Sequence, residues 1–599
     1  MIPLRELEFD LFEVRGDALD TEMMQTARDV LRAAESIARE RFAPYASLAD
    51  VEEPIVVDGK VRLPAQTAEA LLAYSEGGFL GMSFPVSSGG LGLPFLLSQA
   101  CGSLFASANV AFQSYATLTQ GAAHLIERFG TAAQRERWLP QMLEGRSFGT
   151  MCLSEPHAGS SLADIRTLAT RQPDGRYRLT GRKMWISAGE HELADNIVHL
   201  VLARTPDAPA GVKGISLFLV PRYRAPGVTN GVTLVGLNHK MGWRGTVNTA
   251  LAFGDGEACY GELVGELHQG LACMFLMMNE ARVGVGLCAV SLGYAAYVYA
   301  LDYARERLQG RPLSARDPAM PQIPIIRHAD VRRMLLAQKS WVEGGLDLVL
   351  YCARLVDEAE PVANAPTADG ARRERAALLL ELLTPIAKSW PAEYCLEANK
   401  LAIQVAGGAG YTRDLPLERL YRDNRLNHIH EGAYGIQALD LLARKVSLAG
   451  GRTFDIWCET VGETIDAARR RANSLTGEAA ALRAMLIAHA DGMASAISVL
   501  TAVTRKLTAT AAAGEPELAY ANATPYLEAF GTVTVAWRWL ERAIVAAEAL
   551  KHGVDVDFYR GKIAACRHFH RFDLPRALAQ LKMLEALEDT ALRMDETQF

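Results

Sequence analysis

RYRLTGRKMWIS, residues 176–187, decides how this chain divides. It is short, carries β-branched and aromatic residues, and is followed by NIVHLVLAR (196–204), GISLFLVPRY (214–223) and GVTLVGL (231–237), which repeat its character. Gly, Pro, Asp and Asn punctuate the gaps, the pattern of a strand-rich domain. On the N-terminal side, TARDVLRAAESIARERFAPY (26–45) and AAQRERWLPQMLEG (132–145) space their apolar residues for helices, with a glycine-rich break at VSSGGLGLP (86–94). Long helical patterns return at Gly270, and the chain stays Ala- and Leu-rich to Phe599. The spacing therefore predicts an α+β protein, mostly α, in four parts: a helical domain over 1–150, an antiparallel β domain over 151–268, a bundle of four long helices over 269–450, and an additional helical domain over 451–599. RPLSARDPAMPQIP (311–324) and EPVANAPTADGARRER (360–375) read as surface loops.

The 599 residues exceed what one hydrophobic core serves at about 100–200 residues per domain. Half are hydrophobic and 22% charged, which is globular composition and excludes a mostly disordered chain. A net charge of −7 leaves no positive surplus for phosphate backbones or anionic lipid, so nucleic acid is not an expected partner. The nine cysteines are scattered and never form C-x-x-C, which suits reduced thiols in the cytoplasm. The opening MIPLRELEFDLFEVRGD is acidic where an export or transit signal needs basic residues. Asn279, Glu280 and Arg282 interrupt the apolar stretch Leu271–Ala304, so a buried helix is expected there and not a membrane span.

Three motifs have readings that their context removes. Gly145-Arg146-Ser147-Phe148-Gly149 matches the hydrolase elbow G-x-S-x-G, but it follows a helix instead of a strand, so it reads as a glycine stop. Gly407, Gly408 and Gly410 lack the strand and the Lys-Ser/Thr of a phosphate loop. His428 and His430 alternate as they would on one side of a strand, but no further ligands cluster near them, and no metal centre is expected.

Four segments agree with one another. They are MCLSEPHAGSS (151–161), GRKMWIS (181–187), Asn279-Glu280-Ala281-Arg282 with YARERLQGRP (303–312), and the run from QVAGGAGYT (404–412) through Glu418-Arg419 and Tyr421-Arg422-Asp423 to Glu431-Gly432 and Ile436-Gln437. In this order they resemble the acyl-CoA dehydrogenase family, with serines at the two threonine positions of its flavin segments. Length, opening and tail resemble its long bacterial branch, which includes 3-methylmercaptopropionyl-CoA dehydrogenases.

The resemblance implies FAD-dependent α,β-dehydrogenation of an acyl-CoA thioester to the trans-2-enoyl-CoA, as in fatty acid β-oxidation. Chemistry agrees: the α proton needs a base, and no side chain accepts the β hydride, so a flavin must. Glu431 matches the base, and burial would raise its pKa toward that task. The flavin positions carried over are Met151, Leu153, Ser154, Gly159, Ser160, Trp185, Ser187, Ala433 and Gly435. Arg307 matches an arginine that meets the FAD pyrophosphate of a neighbouring subunit, and Gln404, Gly407 and Gly408 match the loop receiving that subunit's adenosine portion. Ser160, Asn279, Arg282, Gly432 and Arg444 match positions along the acyl-CoA path. Ala433 departs from the family's threonine, and His430 stands where a tyrosine is frequent. Ala281 occupies the place some members use for the base, with Glu280 turned about 100° from it on a helix.

The family further implies a homodimer and electron-transferring flavoprotein as electron acceptor. Two rivals share the scaffold. An acyl-CoA oxidase would hand electrons to dioxygen, and a flavin-bearing DNA damage-response relative would need a basic tail. Gly451–Phe599 holds 17 Lys and Arg against 19 Asp and Glu, which does not supply one.

Overall fold

In the computed structural model every residue is described except 17–20, 315–316, 318, 361–369 and 476–479, together with the side chains of 275–278. Parts of both expected surface loops therefore lie outside the described residues. The chain forms two compact units: one takes Met1–Arg28, Arg282–Glu360 and Thr367–Phe599, the other Asp29–Ala281.

The second unit joins helices to one large sheet, with two small two-stranded ribbons at residues 55–62 and 223–229. Its helices include α3 (Ala65–Glu76), α4 (Phe95–Phe129) and α5 (Ala132–Leu143); α1 (Leu4–Glu8) and α2 (Thr21–Ile37) precede them in the chain. Asn109 interrupts α4 with φ −160°, and its side-chain oxygen accepts from the Phe112 amide, capping the second half. Thr131 starts α5 with a capping box: its hydroxyl accepts from Gln134 N while the Gln134 side chain accepts from Thr131 N. Gly145, at φ +76°, ends that turn and releases the chain into the sheet.

The strands are β1 (Ser147–Cys152), β2 (Leu168–Arg171), β3 (Tyr177–Ser187), β4 (Asn196–Arg204), β5 (Ile215–Pro221), β6 (Val232–Leu237), β7 (Asn248–Phe253) and β8 (Cys259–Val264). Among the described residues they form an eight-stranded sheet in the order β6-β7-β3-β8-β5-β4-β1, with β2 against β3 and β4. The sheet is antiparallel, as expected, except at β4: β1 pairs with it in parallel, Ser147 opposite Asn196 through Cys152 opposite Val201, and β2 meets it in parallel at Leu168 and Arg204. A parallel neighbour needs a long crossover, which residues 153–195 provide, and strand composition does not reveal it. Gly149 lets β1 lie against α4, since a Cβ there would stand 2.4 Å from that of Ala122.

The first unit is helical. α6 (Gly270–Glu306) enters it at Arg282, followed by α7 (Ala329–Ala359), α8 (Gly370–Ala406), α9 (Leu417–Arg425), α10 (Arg452–Asn473), α11 (Ala480–Ala512), α12 (Ala523–Ala549), α13 (Val556–Phe572) and α14 (Leu574–Glu585). Among the described residues the four long bundle helices expected are three, because α9 has nine residues. The tail shares its core with the bundle through reciprocal notches. Trp390 of α8 lies on Gly531 of α12, where a Cβ would stand 2.6 Å from the ring, and its Nε1 donates to Thr532 Oγ1 at 3.0 Å. Trp539 of α12 fits over Gly344 of α7 and donates to Ser340 O at 2.9 Å.

A buried ionic cluster joins the N-terminal segment to the same helices. Glu6, Asp10, Glu343 and Asp347 meet Arg15, Arg538, Arg542 and Lys562, each side chain at most 3% exposed. Asp347 is held by Arg15 at 2.7 Å and Arg538 at 2.6 Å; Arg542 pairs with both Glu6 and Asp10, and Lys562 with Glu6 and Glu343. Four acids face four bases, which is how such a group tolerates removal from water.

Candidate active site

In the second unit the two serine-bearing segments adjoin each other. The Met184 amide donates to Ser154 O at 3.0 Å, and Lys183 Nζ donates to Leu153 O and to Glu155 Oε1, both at 2.9 Å. Glu155 also accepts from the Thr167 hydroxyl and from the amides of Arg166 and Thr167. Burial opposes the Glu155 charge, but Lys183 and these bonds outweigh it and hold its pKa below the carboxylate range; burial presses the Lys183 pKa down. The result is a fixed turn presenting half-buried Leu153 and Ser154, with Gly159 and Ser160 exposed beyond it.

Met151 and Leu153 pack on a cluster that includes Phe84, Ala123 and, at its edge, Ala281. Trp185 is 59% exposed on β3 at φ +64°, a left-handed conformation uncommon for a bulky residue. Ser187, two residues on, accepts from Asn248 Nδ2 at 3.0 Å. Asn279 is half-buried on α6. Its neighbour Glu280 is engaged: the carboxylate pairs with His124 Nδ1 at 2.7 Å, and that imidazole lies tilted at 42° against Phe84, ring centroids 4.1 Å apart.

In the first unit Glu431 occupies a left-handed turn at φ +53°, followed by Gly432 at +88°. Gln437 Nε2 donates to Glu431 O and Lys388 Nζ to Gly432 O, each at 2.9 Å. Glu431 is half-buried. Burial raises its carboxyl pKa, against the pull of Arg282 and Lys388. Burial also lowers Lys388 to about 8 despite Glu431, with Arg282 acting in the same direction as burial. His430 is pushed down to about 4 by burial and by Lys388, and so stands neutral at neutral pH.

Arg282 pairs with Asp440 at 3.0 Å, and Asp440 pairs with Arg444 at 2.6 Å. The Arg282 Nε is buried with no hydrogen-bond partner. Ala433 is half-buried and Gly435 exposed. Arg307 lies exposed just past α6; Gln404, Gly407 and Gly408 form an exposed edge, open above both glycines, with Gly407 at φ +60°.

The histidine pair does not share a strand. His428 ends a short helical turn and bonds Glu393 at 2.7 Å, while His430 Nδ1 meets Leu426 O at 3.0 Å. Among the described residues no group of three or more His, Cys, Asp or Glu side chains is placed to hold a metal. Ser147, within the G-x-S-x-G match, is buried on β1 and donates to Gln141 Oε1. Sequence reasoning missed Lys183, Lys388, Gln437 and the His124–Glu280 pair; a solitary lysine inside an apolar helical run was the visible sign of Lys388.

Comparison with known proteins matches four models along the chain. Three are domains of acyl-CoA dehydrogenase: N-terminal (residues 24–146), middle (150–255) and C-terminal (268–446); the fourth is an acetyl-CoA dehydrogenase C-terminal-like domain (457–595). The chain is 36% identical over 602 residues to 3-methylmercaptopropionyl-CoA dehydrogenase of Ruegeria pomeroyi, covering 98% of each. It is 32% identical over 620 residues to the broad-specificity linear acyl-CoA dehydrogenase FadE5 of Mycobacterium tuberculosis, covering 100% of this chain and 99% of that one. In fold it is similar to Caenorhabditis elegans ACDH-11 in complex with C11-CoA, with TM-score 0.72, 18% identity, and coverage of 96% of this chain and 89% of that one. Domain models in consecutive order and full-length relatives above 30% identity lead to one conclusion: the chain belongs to the acyl-CoA dehydrogenase family.

Proposed function

We propose that the chain removes the α proton and β hydride of an acyl-CoA thioester with Glu431 as base and FAD as cofactor. The observation that carries this is Glu431 itself, a half-buried carboxyl of raised pKa held in a left-handed turn by two side-chain donors. Strain of that kind costs about 1–3 kcal/mol and persists where its surroundings impose it.

The residues present fit FAD. Trp185 offers an exposed ring two residues before Ser187 and next to Met184, whose amide bonds Ser154 O, and Gly407 and Gly408 leave an open backbone edge. When bound, FAD supplies the hydride acceptor that side chains lack. Ser154, Ser187 and the Leu153 backbone would hold the ring, and Arg307, Gln404, Gly407 and Gly408 the remainder of a cofactor. Glu431 accepts the α proton on its carboxylate, Arg282 orients the thioester arm, and Arg444 steadies Arg282 through Asp440. Family membership and the nine free cysteines support a cytoplasmic homodimer that passes electrons to electron-transferring flavoprotein.

The test is anaerobic titration of FAD-loaded protein with a panel of acyl-CoA thioesters. The expected result is flavin bleaching by at least one of them, slowed by at least about 10²–10⁴-fold in Glu431→Gln with FAD and thioester still bound. Near-normal bleaching in that variant would place the base elsewhere, with Glu280 the next carboxylate to replace. Peroxide release in air at the turnover rate would favour the oxidase.

A further inference from the structure

Lys388 lies inside α8, in LLTPIAKSWPAEY (382–394), with its side chain fully buried. An ammonium removed from water costs several kcal/mol unless partners hold it. Its bond is to Gly432 O at 2.9 Å, one residue beyond the base, and its charge faces the Glu431 carboxyl. With Gln437 on Glu431 O, two successive carbonyls are turned inward and tied, and both residues stay left-handed.

A neutral donor would fix that turn equally well, so the charge calls for another reason. We propose that Lys388 is the positioning residue of the base: its ammonium fixes the Glu431–Gly432 turn through the Gly432 carbonyl and keeps the Glu431 carboxyl ionised, hence proton-accepting, at neutral pH. This rests on Glu431 being the base. Within this unit the other charges facing Glu431 are Arg282 from α6, itself neutralised by Asp440 and shared with Arg444, and neighbouring His430, which is neutral. Glu393 and Glu528, from α8 and α12, face Tyr434 a few residues further on, with His428 bonded to Glu393. Arg282 already has a carboxylate partner, which leaves Lys388 as the cation whose charge is not otherwise matched by an ion pair.

The experiment measures acyl-CoA-driven flavin bleaching against pH in wild type, Lys388→Met and Lys388→Arg holoprotein. Bleaching rises with pH as Glu431 ionises. Losing the neighbouring cation raises the pKa of Glu431, so Lys388→Met should move the midpoint upward by at least about one unit and slow bleaching about tenfold at pH values below the wild-type midpoint. Lys388→Arg keeps the charge and should keep the midpoint, whatever its effect on rate. A flavinated Lys388→Met with the wild-type midpoint overturns the proposal, since a structural lysine would alter stability or flavin content only. If Lys388→Met yields no folded holoprotein, Lys388→Gln, a neutral donor to the same carbonyl, decides: an upward-shifted midpoint supports the charge role and an unmoved one refutes it. Should no thioester bleach the wild type, the enzyme reading fails instead, and the midpoint is read from the infrared carboxyl band that Glu431→Gln removes.

Discussion

Trp185 and Glu431 both occupy left-handed backbone that bulky residues rarely adopt, and both lie in segments carrying the family's chemistry. Such strain is kept where the side chain is needed. Trp185 is largely exposed, so its ring contributes little to the core. Trp185→Gly should therefore leave the thermal midpoint of flavin-free protein unchanged or raised, while weakening FAD affinity at least about tenfold, as followed by flavin fluorescence. A drop in midpoint with unchanged affinity would make Trp185 a packing residue. Legibility at this scale followed sequence continuity. Glu431 and the serines stand in contiguous, recognisable runs, whereas the carbonyls that Lys183 and Lys388 bond lie 30 and 44 residues away in the chain, so neither lysine's own sequence names its partner. His124 and Glu280 come from different helices, and neither spacing nor composition announces their pairing.

Helices and strands were predictable as types, because 3.6-residue and alternating patterns depend on burial of one face. Their neighbours were not. The parallel β1–β4 ladder depends on a crossover, and α9 stops after nine residues, so three long helices stand where four were expected. Helix contacts turn on single residues: Trp390 against Gly531 leaves no space for a side chain. Gly531→Val should push that ring aside and lower stability by about 1–3 kcal/mol, read as a fall in the denaturant midpoint, with Gly531→Ala milder. An unchanged midpoint for the valine variant would mean that α8 and α12 separate freely. By length and composition, three helices among the described residues are long and apolar enough to cross a membrane: Phe95–Phe129, Asn279–Glu306 and Ala480–Ala512. The apolar windows of the first two are 89% and 78% buried, so packing accounts for them; that of α11 is 39% buried and turns Ala484, Ala488, Ser495 and Ala502 outward.

The charge cluster sets how the first unit responds as a whole. Removing one member strands its partners in a dry interior, which is more damaging than replacing the set. Arg542→Met leaves Glu6 and Asp10 short of a cation and should cost about 3–5 kcal/mol, seen as early unfolding with loss of flavin. Truncation after Gly450 goes further: it removes Arg538, Arg542 and Lys562 and uncovers Trp390. Size-exclusion chromatography should show aggregation or a changed oligomeric state, with any flavinated remainder keeping its thioester preference. A truncated, fully flavinated protein with a new chain-length profile would instead give the tail a part in the acyl pocket.

The same cluster dictates an order of events during synthesis. Glu6 and Asp10 leave the ribosome first, yet their partners Arg542 and Lys562 follow more than 500 residues later. At about 5–20 residues per second that is a wait of roughly half a minute to two minutes. The stretch Asp29–Ala281, which makes up nearly all of the other unit, is one run of sequence and meets no such delay. It can finish while the other unit is still being made. Until the last helices arrive the N-terminal carboxylates lack the cations that match them in the interior, and water must hold their charge.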